Sequence, residues 1–402
     1  MAENPDSGQA AVRAGISRRI VAWFTSIVVM NLSVEPVRVL LPVYVVSMVG
    51  GDAQLTASIF SVSMFWTAVG SVVGGIVADA FGHRKSYLMG LSMNVVLAGA
   101  FLTTSIPALF IVLSVFGLGM GWSSTGYQSY VIQAFPRNRT ATLMGFWFSS
   151  MGMAGIAGSA VAASLVEGPG FVPIGILGIL TSGIGCILIW VSVPKLPEAS
   201  IQSQSDSNNQ PLILGVLQLL REKGVLSFLG LTGIPSIFVG ASSVAVPLLL
   251  YAASGSSALV AGYGLASALV ALLAYPLLGR LADLKGVWGP MVAGALMVVA
   301  GGVTIAIAPT VVVALFIAGV AGRLGAGVRD ILIPTIAREV MSASTHGRAI
   351  GLGSMTWSIG FMVGSLITGS LIDENPRMLF WLVAGLTACA LPFIQRLHVH
   401  AK

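Results

Sequence analysis

Apolar residues in this chain neither alternate with polar ones nor stripe a single helix face. They run on for about 20 residues at a time, and polar residues gather between the runs. At about 1.5 Å per residue, one such run crosses the roughly 30 Å hydrocarbon layer of a bilayer as a single α-helix. Twelve runs can be counted, near 20–48, 56–80, 86–105, 107–132, 141–165, 171–193, 225–252, 257–281, 288–308, 310–335, 349–371 and 377–396. The pattern predicts an all-α polytopic membrane protein with twelve transmembrane helices in two six-helix bundles.

The two halves repeat each other. The stretch Gly75-Ile76-Val77-Ala78-Asp79-Ala80-Phe81-Gly82-His83-Arg84-Lys85 joins the second and third runs. Its echo, Gly279-Arg280-Leu281-Ala282-Asp283-Leu284-Lys285-Gly286, joins the eighth and ninth, with Asp79 and Asp283 standing 204 positions apart. Leu41-Pro42-Val43 returns as Val246-Pro247-Leu248, and Gly145 and Gly158 return as Gly351 and Gly364, at offsets of 205 and 206. An offset near half of 402 residues marks a duplicated unit. Two such membrane units enclosing a midplane site form the architecture of a secondary transporter.

The predicted organisation is a tail over 1–16, a six-helix bundle over 17–196, a linker over 197–224 and a second bundle over 225–402. The linker begins PEASIQSQSDSNNQP, a polar low-complexity stretch, and continues with Leu214, Val216, Leu217 and Leu220 at roughly helical spacing. That second part reads as an amphipathic helix lying on the membrane surface.

Composition narrows the functional classes. Charged residues make up 8% of the chain and hydrophobic ones 56%, against roughly 25% charged in soluble proteins, and the short loops leave no room for a soluble catalytic domain. The net charge of +6 expresses topology, because the basic residues, Arg84, Lys85, Arg280 and Lys285 among them, cluster on the side shared by both termini, while Arg377 lies opposite. Positive flanks are retained in the cytoplasm, so both termini are expected there, in a cytoplasmic (inner) membrane, with no nucleic-acid partner. Ser17-Arg18-Arg19 is followed by no cleavage site and reads as the entry to the first span and not as an export signal. Cys186 and Cys389 read as small apolar residues at equivalent places in the repeat, and the four histidines sit in loops or the tail with no metal-binding spacing. No phosphate-cradling loop is present, which argues against an ATP-driven pump; neither cofactor nor metal is expected.

Twelve spans in two halves, with G-x-x-A-D-x-x-G-x-R-K between the second and third and a degraded copy between the eighth and ninth, resemble the major facilitator superfamily over essentially the whole chain. The resemblance implies a central cavity lined by helices 1, 4, 7 and 10, alternating access by rocking of the bundles, and a cytoplasmic latch. That latch would be carried by Gly75, Asp79, Gly82, Arg84 and Lys85, and by Gly279, Asp283 and Gly286 in the second copy, where Trp288 and Gly289 replace the basic pair. Read from the residues alone, Gly75 should admit a close backbone, Gly82 should turn the chain, and Asp79 should end its helix and pair with a basic residue or a helix N-terminus. The alternative is a solvated loop whose charges set topology. The G-x-x-x-G-P-x-x-G-G signature of many drug/proton antiporters is matched only loosely in the fifth span, by Ala154, Gly158, Ser159, Ala162 and Ala163. The missing proline weakens a case for antiport, and small residues at this spacing serve helix packing in any carrier.

Charges within the spans are costly and call for a partner or a function. Glu35 and Arg38 share a face of the first helix at a spacing of three and are expected to pair, with Glu35 about 22 Å into its span. On the tenth, Arg323 and Asp330 are seven apart and nearly eclipsed, whereas Arg329 is rotated by roughly 120° and needs a different neighbour. These groups are either internal ion pairs, or Glu35 is a proton acceptor set by its burial beside Arg38, with Arg323 or Arg329 holding an anionic group of a substrate; Asp330 is the competing proton site, but its place beside Arg329 and nearer the cytoplasmic end reads as a structural pair on the tenth helix. The fourth span carries no charge; Trp122, Ser124, Tyr127 and Gln128 are its candidate cavity residues, and its Gly117, Gly119 and Gly121 are expected to let a substrate approach. Pro235, Ser236, Ser242 and Ser243 on the seventh span are polar groups beside a helix break that need no substrate to account for them.

These readings converge on a monomeric, proton-linked carrier of a small organic solute, not an enzyme. Export is favoured by the acidic first helix and the aromatic cavity, which resemble multidrug exporters; uptake of an organic anion is the alternative that the intramembrane arginines favour. A membrane sensor or scaffold that binds without translocating is the reading from another class.

Overall fold

The structure is a computed structural model of the chain that describes residues 21–134, 139–193, 224–340 and 346–401, without some side chains at helix ends, Asp79 among them. The tail over 1–16 and the linker over 197–223 lie outside the described residues. Twelve helices are long and apolar enough to cross a membrane. They are α1 (Val21–Val49), α2 (Ala53–Ala78), α3 (His83–Leu102), α4 (Ile106–Gln128), α5 (Thr140–Val166) and α6 (Phe171–Ser192), then α7 (Val225–Ser254), α8 (Ser257–Lys285), α9 (Trp288–Ile307), α10 (Val312–Glu339), α11 (Ala349–Leu371) and α12 (Pro376–His398).

Hydrocarbon supplies no hydrogen bonds, so each run satisfies its backbone by coiling, and polar residues act where the coil must start or stop. Asp52 accepts from Leu55 N at 2.7 Å, Ser256 from Leu259 N at 3.2 Å and Asn375 from Met378 N at 3.0 Å, which caps α2, α8 and α12. Gly82 and Gly286, equivalent in the repeat, both turn the chain at φ near +90° (90° and 91°), a conformation that suits glycine. The turning role expected of Gly82 is therefore found in both copies.

Helices α1–α6 and α7–α12 form two halves that meet chiefly along α5 against α8 and α2 against α11. The first of these faces is built from small residues through its whole depth. A side chain on Gly145 would collide with the backbone of Tyr275, one on Gly152 with the Ala268 carbonyl 2.8 Å away, and one on Gly279 would overlap the Ala141 carbonyl. Pro276 cannot donate to Leu272 O, and that freed carbonyl accepts instead from Ser149 Oγ across the interface at 2.6 Å. At the end away from the repeated motif, Ser256 Oγ donates to Glu167 Oε1 at 3.0 Å, and Phe60 stacks on Phe361 between α2 and α11.

Two expectations about glycine are corrected by this packing. Gly117, Gly119 and Gly121 do not open α4 to a substrate, because Cβ atoms there would overlap the Ser63 carbonyl, approach Met93 Cβ within 2.5 Å and overlap the Thr67 carbonyl. They exist so that α2 and α3 can press against α4. Gly75 has nothing within 4 Å of where its Cβ would stand, so the close approach expected there occurs instead at its repeat partner Gly279.

Overpacking a tight helix contact costs about 1–3 kcal/mol. Gly121→Ala should therefore lower the thermal midpoint of the purified protein by several degrees, whereas Gly183→Ala on α6, where no atom lies within 4 Å, should leave it unchanged. A fluorescence melting curve of each variant checks the contrast.

Candidate functional site

A cavity of about 380 Å³ lies between the halves. Helices α1, α4, α7 and α10 contribute to its wall, and so do α2, α3, α5, α6, α8 and α11, a wider set than the resemblance implies.

The first helix is broken where the cavity begins. Leu32 and Ser33 form a turn inside α1. Ser33 Oγ meets Ser182 Oγ at 2.9 Å, and Ser182 Oγ in turn donates to Met30 O at 3.2 Å, so two serines take up polar groups that the break exposes. Gly158 of α5 admits the Leu32 carbonyl, which any side chain would overlap. Glu35 follows this turn directly, its position fixed by a close three-helix contact.

The charge pairing differs from the one that helical spacing suggests. Glu35 Oε1 accepts from Arg323 Nη2, an ion pair between α1 of the first half and α10 of the second. Arg38 is in no ion pair among the described residues; its Nη2 lies 3.7 Å from the Met120 sulfur. Asp330 pairs with its neighbour Arg329 and not with Arg323. Residues on one face of one helix point the same way, and in this fold that direction is across the cavity, toward the opposite bundle. Tyr263 completes the Glu35 site, with Arg323 Cζ 5.9 Å from its ring centroid.

Arg329 leaves the candidate substrate contacts altogether. It is 6% exposed, donates from Nη1 to Thr232 O at 2.7 Å and lies over the Trp357 ring at 5.8 Å, outside the cavity wall. Asp330, by contrast, keeps 32% of its side chain exposed and lines the cavity. Trp122 is also outside the wall: its Nε1 donates to Ser86 Oγ at 2.9 Å and its ring fills the space that Gly74 and Gly90 leave. Ser124, Tyr127 and Gln128 do line the cavity, with Gln128 Nε2 donating to Ser124 Oγ at 3.1 Å. Sequence reading missed Asn31, Asn94, Trp147, Tyr263, Tyr275 and Trp357, all of which face the cavity. Polar and aromatic residues within an apolar run carry no mark that separates cavity from packing.

The repeated motif acts unequally in its two copies. Arg84 donates to Val193 O and Trp190 O, both at 3.1 Å, which ties α3 to the end of α6 within one half and does not join the halves. Lys85 is exposed. Asp283, in the degraded copy, accepts from Thr142 N at 2.8 Å and Ala141 N at 3.3 Å, and from the Thr142 hydroxyl. A carboxylate on the free N–H groups of α5 is favourable both as a cap and against the helix dipole. Arg338 adds a bond to Thr140 Oγ1 beside it. The copy that lost its basic pair thus makes a contact between halves, while the side chain of Asp79 in the first copy lies outside the described ones.

A family model described as Major Facilitator Superfamily matches residues 22–322 and again 236–399. The chain belongs to the Major Facilitator Superfamily. Members of this superfamily are membrane transporters and not enzymes. The chain is 29% identical over 131 residues to an uncharacterized MFS-type transporter of Mycobacterium tuberculosis, covering 32% of this chain and 23% of that protein. It is 29% identical over 106 residues to a putative transporter of Bacillus subtilis, covering 25% and 26%. The matched segments span only about a quarter of those relatives' lengths. A crystal structure of a POT family transporter in complex with a thioalcohol-conjugated peptide superposes with a TM-score of 0.70 over 94% of this chain and 96% of that one, at 14% identity, which shows a shared superfamily fold.

If the Asp283 cap holds the halves together at the motif end, Asp283→Ala should leave the protein folded and raise labelling of a single cysteine placed at Ser124 by an impermeant thiol reagent applied from that side. Labelling equal to that of the parent cysteine variant would reduce the contact to an ornament of the loop.

Proposed function

We propose that this chain is a proton-coupled secondary transporter that moves a small organic solute across the cytoplasmic membrane by alternating access, with both termini and the repeated motif on the cytoplasmic side. One observation carries the reading: the ion pair of Glu35 and Arg323 joins the two halves through the wall of the central cavity.

A carboxylate shared between moving bodies is suited to proton coupling. Ionised, Glu35 holds α1 against α10. Protonated, it no longer neutralises Arg323, and losing one member of a buried pair costs about 3–5 kcal/mol when the other is left behind. The pair is partly exposed to the cavity, so the smaller figure is the relevant one, and it still shifts a two-state balance on the order of a hundredfold. Asp330 is the second proton site, less suited to this role because its partner Arg329 lies on the same helix and moves with it.

Export is the direction that the acidic first helix and the aromatic cavity support through their resemblance to multidrug exporters. Uptake of an organic anion is the second reading, and the observation that favours it is Arg38, a guanidinium on the cavity wall with no carboxylate partner among the described residues. Counterflow of a labelled solute in proteoliposomes distinguishes either from a sensor that binds without translocating.

Glu35→Gln should abolish accumulation driven by a pH gradient in proteoliposomes while solute exchange at equal pH persists, because exchange needs binding and rocking but no proton release. Full pH-driven accumulation by this variant would move the proton site elsewhere, with Asp330 next to be changed.

A further inference from the structure

Charge in the cavity region does not balance. Arg38, Arg323 and Arg329 face Glu35 and Asp330, one cation in excess among the described residues at this depth. Both carboxylates are engaged, Glu35 by Arg323 and Asp330 by Arg329. The excess therefore rests on Arg38, whose polar contact is the Met120 sulfur, a weak acceptor that leaves the guanidinium without a counter-ion. An uncompensated charge so far from bulk water is expensive to keep.

We propose that Arg38 binds the acid group of an organic monoanion, and that this anion and a proton on Glu35 bind cooperatively, so that both cross the membrane in the same direction. The inference rests on the proton-coupled reading above, takes its second form, uptake of an organic anion, in place of export, and adds the sign of the coupling. Protonating Glu35 raises the local excess from one positive charge to two, so the anion binds more tightly. By linkage, the bound anion raises the proton affinity of Glu35 by the same factor. Exchange of a cation for protons would need the opposite arrangement, a carboxylate open to the cation once its proton has left; here both carboxylates are held by arginines.

No other ionisable group on the cavity wall reverses that sign. Those groups are Arg38 on α1 beside Glu35 itself, Tyr87 on α3, Tyr127 on α4, Tyr263 and Tyr275 on α8, and Arg323 and Asp330 on α10. The tyrosines are neutral across the physiological range. Packed directly against Glu35 on α5 is Gly155, which has no side chain to titrate.

The body of the anion is specified at the motif end. Tyr127 and Trp147 stack there, with centroids 4.6 Å apart and planes 9° from parallel. Trp147 is one of the residues that line the cavity, and its Nε1 is buried with no hydrogen-bond partner among the described residues. Met120, which Arg38 touches, lies seven residues along α4 from Tyr127, about 10 Å at the helical rise. An aromatic acid of two rings spans that distance, with its carboxylate near Arg38.

Equilibrium binding to the purified wild-type protein tests the proposal without any variant. The probes are naphthalene-2-carboxylate and biphenyl-4-carboxylate, with their amides and the corresponding arylmethylammonium ions. The carboxylates, ionised throughout, should raise the melting temperature, the amides and ammonium ions should not, and carboxylate affinity should increase between pH 8 and pH 5.5 by up to about tenfold per pH unit, the limit for one linked proton. Arg38→Gln should remove carboxylate binding, and Glu35→Gln should bind tightly with a flat pH profile. Preference for the ammonium ions, affinity that falls on acidification, or no response to any carboxylate by protein that melts cooperatively overturns the inference. The reading beneath it fails separately: survival of pH-driven accumulation in Glu35→Gln removes Glu35 as the proton site, and absence of counterflow of a labelled solute removes the carrier, whatever charge the solute bears.

Discussion

A bilayer core offers neither hydrogen bonds nor solvation for charge, and the architecture follows from how the chain meets that demand internally. Apolar runs coil because a helix leaves no backbone group unpaired. Where a helix must break, as at Leu32-Ser33, serines from α1 and α6 take up the exposed groups. Where a proline frees a carbonyl, as Pro276 does at Leu272, a neighbouring hydroxyl fills it. With no hydrophobic force to join helices in lipid, close contact is what holds them, and glycines on α4, α5, α7 and α11 bring backbones within reach of one another.

The same demand organises the cavity. Among the described residues each charge that enters this depth is met by an opposite charge, on another helix for Glu35 and Arg323 and on the same helix for Asp330 and Arg329, except Arg38. Arg329, the most buried of the three arginines, is divided between a carboxylate, the Thr232 carbonyl and the Trp357 ring, which fixes α10 to α7 and α11. Arg323 is held less completely, by one carboxylate on the opposite half. That difference separates a structural arginine from one whose surroundings change when the halves move.

The twelve spans, the duplication and the superfamily were legible because they are written along one dimension: run length, an offset of about half the chain, and a motif at each copy. The turns at Gly82 and Gly286 were legible for the same reason, as local backbone needs. Pairing was not. Spacing on one helix placed Glu35 with Arg38 and Arg323 with Asp330, but a side chain three or seven residues away looks in the same direction, and its partner comes from a helix far along the sequence. The pair Glu35–Arg323 is separated by 288 positions. Trp122 was misread because a tryptophan that fills space between glycines and one that faces a ligand look alike in a string of letters. Asp283 was undervalued because its copy of the motif lacks the closing basic pair, whereas its partners are main-chain N–H groups, which no sequence displays.

The contact of Ser149 with Leu272 bears on how the halves part. A serine hydroxyl rotates about one bond, and within its own helix it can reach the carbonyl four residues earlier, that of Gly145. Were α5 and α8 to separate, Ser149 could turn from the foreign acceptor to the domestic one, and Leu272 O, uncovered by the same movement, would meet the water that enters the opening. The seam would therefore exchange bonds as it opened without stranding a polar atom in a dry place. A zipper of aliphatic side chains would hold the same surfaces together, but parting it would expose apolar side chains to water.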